Sequence, residues 1–469
     1  MKVWQEILVV FLLALLLRLL WLGEASLWLD EAFSNWMAHK SVADLLQSTR
    51  SGDIHPPLFY LGLKAWLKFF PPTEWFLRLP QALAGSLAVA LLYLLAARLG
   101  DRRTARFAAL LAASSHYLLL FDQECRMYPW VSVAEMLYAL ALLGLGQNQR
   151  AFVPLLLVAT WLGWSVDYRF ALFAAAGGSY FLVRNRNRLT LLGLVLAALG
   201  TLPLIPWVLQ QNGPSGQGNS LKLCHLPINL DSLSSLLPAF AGTWYLKLPL
   251  ALNCLLTAVF VAGVLIYRRG QGFAVTAFLG QWLPLVLYSV LRSSIYSVHS
   301  CQSLALPFLL AMGSVLAQAP RRLAGALLVL WLMVNLGMFY QTHHEPNLAK
   351  QNWRILKEEV LRLVQPADVV VTLPAHQVFP LGYYYTSDRV VLLNPVDLSN
   401  PELVAPVLAA SRSWWIFAGD RVVDPTGYSR RWLEEHFILD WAVELPNGPF
   451  HEITGGAIQV FLARPKARK

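Results

Sequence analysis

The chain has 469 residues, of which 57% are hydrophobic and only 14% charged. Soluble domains carry about a quarter charged residues, so the composition excludes an ordinary soluble enzyme and points to a polytopic membrane protein. The net charge of +10 does not signal nucleic acid, because the basic residues sit in short clusters between apolar segments, where membrane topology places them.

Apolar stretches of about 17–25 residues read as membrane spans. They lie near 4–23, 75–98, 105–121, 129–146, 151–166, 168–184, 188–210, 246–267, 272–291, 300–318 and 322–341. The first is too long for a signal-peptide core and lacks a small-residue cleavage site after it, so it reads as a retained anchor. The pair flanking Asp167 is short and is also compatible with a re-entrant hairpin. Arginines cluster at Arg98, Arg102, Arg103 and Arg106, at Arg150, at Arg184, Arg186 and Arg188, at Arg268 and Arg269, and at Arg321 and Arg322. With the N-terminus in the cytoplasm, every cluster falls on the cytoplasmic side. The C-terminus is then expected outside the inner (plasma) membrane.

The first outer loop, 24–73, is half apolar. Phe33, Trp36, Met37, Leu45 and Leu46 recur at helical spacing, as in a helix lying in the interface. Pro56 and Pro57 break that run and favour a fresh start. The next stretch is too short to span and reads as a second interfacial helix, with Lys64 and Lys68 on one face. Residues 1–341 therefore read as a membrane domain. From 342 to 469 charge rises and apolar runs shorten. "DVVVTL", "RVVLL", "SWWIFAG" and "IQVFLA" read as strands, and "NWRILKEEVLRLV" and "SRRWLEEHF" as helices, giving a small soluble α/β domain outside the membrane. "QNGPSGQGNS" reads as a flexible loop. The four cysteines, Cys125, Cys224, Cys254 and Cys301, show no metal-ligand spacing. They read as small apolar packing residues, with a Cys125–Cys224 disulfide as the alternative.

Three acidic clusters fall on the outer face. The first is Asp30-Glu31 in "SLWLDEAFSNW", the second Asp53 with His55 in "DIHPPLFY", and the third Asp122, Glu124, Arg126 and Tyr128 in "FDQECRMYPW". Carboxylates beside a membrane are costly unless solvated, paired or working. Each cluster also has a plain structural reading. Asp30 could be a helix N-cap, Glu124 and Arg126 an ion pair closing a tight loop, and His55 a turn residue. Asp167 and Arg169 are expected to pair structurally. Together the three clusters are expected to line one pocket where membrane meets water.

Residues 1–145, through "LWLDEAFS", then "DIHPPLFYLGLKAWLKFF", then "FDQECRMYPW", resemble the GT-C membrane glycosyltransferases. The nearest type is the protein O-mannosyltransferase and aminoarabinose-transferase group. The rest of the chain matches only in layout. The resemblance implies a GT-C fold of about 11 spans and a polyprenyl-phosphate sugar as donor. An Arg-Tyr pair that such proteins often carry before a late proline is replaced here by Ser300 and Cys301. Arg292 or His299 is the expected stand-in as a phosphate contact.

The residue types suit that chemistry. A phosphate leaving group needs little acid help, whereas an acceptor hydroxyl needs a base in reach. Asp30 is the expected base, and Glu31 its positioning partner or an acceptor contact. Attack from the face opposite the phosphate inverts the anomeric centre. Charge building on the phosphate calls for cations: Arg126 first, then Lys64, Arg292 and His299. Asp53, His55, Asp122, Glu124 and Tyr128 complete the expected substrate-binding set. No complete metal shell is set by the sequence, although Mg or Mn held by carboxylates is compatible with it. Phosphate-loop and dinucleotide fingerprints are absent, which suits an outer-face enzyme with a lipid-linked donor. The acceptor is expected to be a glycan, lipid or protein. Two rival readings stand beside this one: a transporter or flippase for lipid-linked glycans, and an inactive glycan-binding relative. Transporters place charges and broken helices at mid-membrane, whereas here the acids cluster at one surface.

Overall fold

A computed structural model describes residues 2–211, 228–243, 246, 248–267, 270–292, 295–297, 299–345, 351–419, 424–445 and 457–466. Its contacts group into two compact units: Met1–Leu22 with Ala38–Tyr340, and Gly23–Met37 with Gln341–Lys469.

The first unit is helical. In chain order it holds α1 (Val3–Leu19), the end of α2 (Leu29–His39), α3 (Val42–Gly52), α4 (Leu58–Trp66), α5 (Glu74–Leu99), α6 (Arg102–Ser114), α7 (His116–Asp122), α8 (Tyr128–Gly146), α9 (Phe152–Val166), α10 (Phe170–Asn185), α11 (Arg188–Thr201), α12 (Ile205–Gln211), α13 (Leu230–Ser234), α14 (Leu236–Phe240), α15 (Leu250–Ile266), α16 (Gly272–Leu291), α17 (Ala305–Gln318) and α18 (Arg321–His344). Helices stand at every position where a span was expected, because in lipid the backbone must satisfy its own hydrogen bonds. Among the described residues, six helices are long and apolar enough to cross a membrane, or seven if the bent pair α6–α7 is one span.

That bend, 58°, falls at Ser115. Its hydroxyl accepts from Leu118 N at 3.4 Å and so caps α7. The pair flanking Asp167 is two separate helices, α9 and α10, joined by a tight turn. Small residues let helices close up. A Cβ on Gly313 of α17 would lie 2.6 Å from the Ala108 backbone nitrogen of α6.

Residues 24–73 hold three helices rather than two. Ser41 caps α3 by accepting from Asp44 N at 3.1 Å. Pro57 precedes α4 as expected for a helix start. The loop "QNGPSGQGNS" and Cys224, with the proposed disulfide, lie almost wholly outside the described residues.

The second unit is a five-stranded sheet with helices, joined by residues 23–37. The strands are β1 (Val369–Leu373), β2 (Val390–Leu392), β3 (Ser413–Phe417), β4 (Phe437–Leu445) and β5 (Ile458–Pro465), in the order β2-β1-β3-β5-β4. β2, β1 and β3 run parallel; β5 is antiparallel to both β3 and β4. The helices are α19 (Trp353–Ile355), α20 (Val378–Tyr384), α21 (Pro401–Leu408) and α22 (Tyr428–His436). One core holds Val371, Leu373, Trp415, Phe417, Leu433 and Phe461. β1 and β3 are buried along their whole length, which is why they read as unbroken apolar runs. Asp368 closes the foot of β1, taking two bonds from Arg412 at 2.8 and 2.6 Å and one from Trp414 at 2.9 Å.

Candidate active site

In the helical unit, the site residues gather where the segment joining α3 to α4 approaches the start of α8. Asp53 follows the end of α3. Its Oδ1 accepts from Ile54 N at 2.7 Å, from His55 N at 3.2 Å and from the His55 ring at 3.1 Å. Burial pushes the Asp53 carboxyl up, but the His55 ring, the Tyr60 hydroxyl and the Arg126 charge outweigh it, so the group stays below the ordinary carboxylate range. His55 is held in turn through its carbonyl, which accepts from Gln211 Nε2 at 3.0 Å. Tyr168 hydrogen-bonds the same glutamine.

Tyr128, the first residue of α8, has two guanidinium groups near its ring. Arg126 lies 5.8 Å and Arg169 5.4 Å from its ring centroid. Arg169 forks onto Asp167, with Nη2 to Oδ2 at 2.5 Å and Nε to Oδ2 at 3.0 Å. Its Nη1 also donates to the Ser300 carbonyl at 2.9 Å. The expected Asp167–Arg169 pair is therefore present, and it brings a cation to the very segment where one was missing from the sequence pattern. Arg292 ends α16 and is exposed. His299 opens a short 3-10 turn, and its side chain lies outside the described residues.

Asp122 is paired inward. Arg18 Nη2 lies 2.6 Å and Nε 2.7 Å from Asp122 Oδ2, and Arg18 also donates to the Ala14 and Ala113 carbonyls at 3.1 and 3.4 Å. This pair satisfies the charge that Arg18 carries within the first apolar helix. A Cβ on Gly85 would lie 2.3 Å from the Asp122 carboxyl carbon, so α5 needs a glycine there for α7 to approach. Glu124 and Arg126 are both buried, joined along the backbone by Arg126 N to the Glu124 carbonyl at 2.7 Å. Lys64 ties two segments together. Its Nζ donates to the Lys40 carbonyl at 2.7 Å and the Ala38 carbonyl at 3.3 Å, closing the end of α2.

Glu135 was passed over in the sequence. It stands two turns beyond Tyr128 on the same face of α8, is wholly buried, and has no hydrogen bond to either carboxyl oxygen among the described residues. A lone acid within an apolar span was the signal.

Asp30 and Glu31 belong to the second unit. α2 begins at Leu29, so Asp30 is in the first turn rather than at the cap. Glu31 is fully buried while Asp30 is partly exposed. His376 lies within electrostatic reach of Asp30. Burial pulls its imidazole below the ordinary histidine value, and the Asp30 charge opposes that pull. Among the described residues, no three His, Cys, Asp or Glu side chains converge to hold a metal.

Residues 54–207, less than half of the chain, match the family model described as dolichyl-phosphate-mannose-protein mannosyltransferase. The chain superposes on ArnT from Cupriavidus metallidurans bound to undecaprenyl phosphate with a TM-score of 0.56 at 13% identity, covering 98% of both chains. It also aligns with an Archaeoglobus fulgidus oligosaccharyltransferase at a TM-score of 0.49 and 13% identity, over 98% of this chain and 75% of that one. No curated protein sequence matches the chain. The chain has the GT-C fold of membrane glycosyltransferases, with a small C-terminal sheet domain.

Proposed function

We propose that this protein moves a sugar from a polyprenyl-phosphate donor to an acceptor hydroxyl or phosphate at the outer face of the cytoplasmic membrane, with inversion. The observation that carries the reading is the gathering of two guanidinium groups around Tyr128, with the Asp53–His55 pair within electrostatic reach of Arg126, largely within the segment that matches the mannosyltransferase family. Undecaprenyl phosphate in the ArnT structure supports the same donor class.

In this reading Asp30 takes the proton of the acceptor hydroxyl. The freed oxygen pair forms the new bond to the anomeric carbon, and the bond to the donor phosphate breaks with its electrons staying on the phosphate. Arg126, with Arg169 near the same Tyr128 ring, meets the charge that develops there. Glu31, buried beside the base, positions it. An ionised phosphate acceptor would need no base, so dependence on Asp30 reports a hydroxyl. The anomeric configuration of the transferred sugar, read by NMR against that of the donor, tests the single-displacement step. Inversion is expected; retention would require a covalent intermediate and overturn it.

The arginine bias supports a C-terminal domain outside the cytoplasm. Alkaline phosphatase fused after Lys469 should be active and the same enzyme inserted within 184–188 inactive. The reverse pattern would overturn the orientation.

A further inference from the structure

The segment carrying Asp30 and Glu31 is fastened to the sheet domain along its length. Arg354 donates to the Gly23 and Glu24 carbonyls at 3.2 and 3.0 Å. Ser26 Oγ donates to the Gln351 carbonyl at 2.6 Å and accepts from Trp353 N at 3.1 Å. Leu27 N donates to Tyr384 Oη at 2.7 Å. One turn into α2, Phe33 and Trp36 pack on Phe379, with ring centroids 5.1 and 4.9 Å apart.

An isolated helix of 11 residues is marginal in water, so its place is set by what it packs against. Backbone and hydroxyl bonds at Ser26 and Leu27 fix where α2 starts. The rings of Phe33 and Trp36 against Phe379 fix its rotation, and with it the direction of the acid pair. The clamp also sits at a telling edge. His376 and Phe379 follow directly from the carboxyl end of β1, and Gln377 Nε2 donates to the Ala418 carbonyl just past β3 at 2.8 Å. The carboxyl edge of parallel strands is where such sheets gather functional groups.

We infer that the C-terminal sheet domain is the positioning element for the acidic helix, acting through Ser26, Tyr384 and Phe379. The inference rests on the reading that Asp30 works in transfer. Displacing a reacting group by about 1 Å costs on the order of 10²-fold in rate.

The test uses the full-length protein carrying Ser26→Ala with Tyr384→Phe, assayed beside Asp30→Asn. The expected result is a fall of about 10²-fold in kcat with the donor KM unchanged. Hydrogen exchange should quicken across residues 27–36 while β3, Ser413–Phe417, stays protected. Wild-type kcat in the paired variant, with Asp30→Asn inactive, would overturn the positioning role and leave the transfer reading intact. Near-wild-type transfer by Asp30→Asn would overturn both. Should the paired variant lose protection in β3, Phe379→Leu decides the matter: a lowered kcat with β3 protected sustains the inference, and an unchanged kcat removes it.

Discussion

Asp30→Asn should lower sugar transfer by about 10²–10⁴-fold, the usual contribution of a general base, with the protein folded and the donor still bound. Adjacent residues of a helix point about 100° apart, so Asp30 and Glu31 cannot aim at one atom. Their exposures differ accordingly: Asp30 is partly open and Glu31 wholly enclosed. A purely structural Asp30 would behave otherwise. In the first turn of α2 its charge would add only about 0.3–1 kcal/mol to helix stability through the dipole. Asparagine would then leave turnover nearly unchanged. Steady-state transfer by the variant, with the donor KM measured in parallel, separates the two.

The Asp167–Arg169 pair should show the second large effect, on stability. Both residues are largely enclosed and hydrogen-bonded to each other through three side-chain contacts. Removing one partner of a buried pair leaves an uncompensated charge and costs about 3–5 kcal/mol, whereas replacing both by apolar groups is often near neutral. Asp167→Leu and Arg169→Leu should therefore each lower the thermal midpoint in detergent far more than the double variant does. Arg169 also holds the Ser300 carbonyl, so the double variant should regain less than the full loss. A double variant as unstable as the sum of the singles would show that the two side chains act independently.

Much of the membrane unit was legible because lipid imposes a simple rule on apolar segments. Where that rule is silent, so was the sequence. The bend at Ser115 depends on one serine cap within an otherwise continuous run. The pairing of Arg18 with Asp122 joins residues 104 apart, and only packing brings them together. Four strands were legible from their β-branched and aromatic runs. β4 was not: "FILDWAVEL" is half exposed and carries a register shift between Leu439 and Trp441, which spoils the alternation that marks a strand.

The site was legible as residue types rather than as neighbours. The acid pair, Asp53 with His55, and the Arg126–Tyr128 stretch announced themselves as charges beside apolar segments. Lys64, expected from the sequence as a substrate cation, also donates to two helix-end carbonyls that its place in the sequence did not reveal. His376, more than three hundred residues from Asp30 in sequence, comes within its electrostatic reach only through the fold.

The most direct measurement is turnover by the purified protein given polyprenyl-phosphate sugars, with free polyprenyl phosphate and transferred sugar quantified together. The account predicts that both rise in equal amounts with the cognate donor and acceptor, and that both fall together in Asp30→Asn. A protein that carries the intact donor across a vesicle membrane without releasing lipid phosphate from any donor would contradict it.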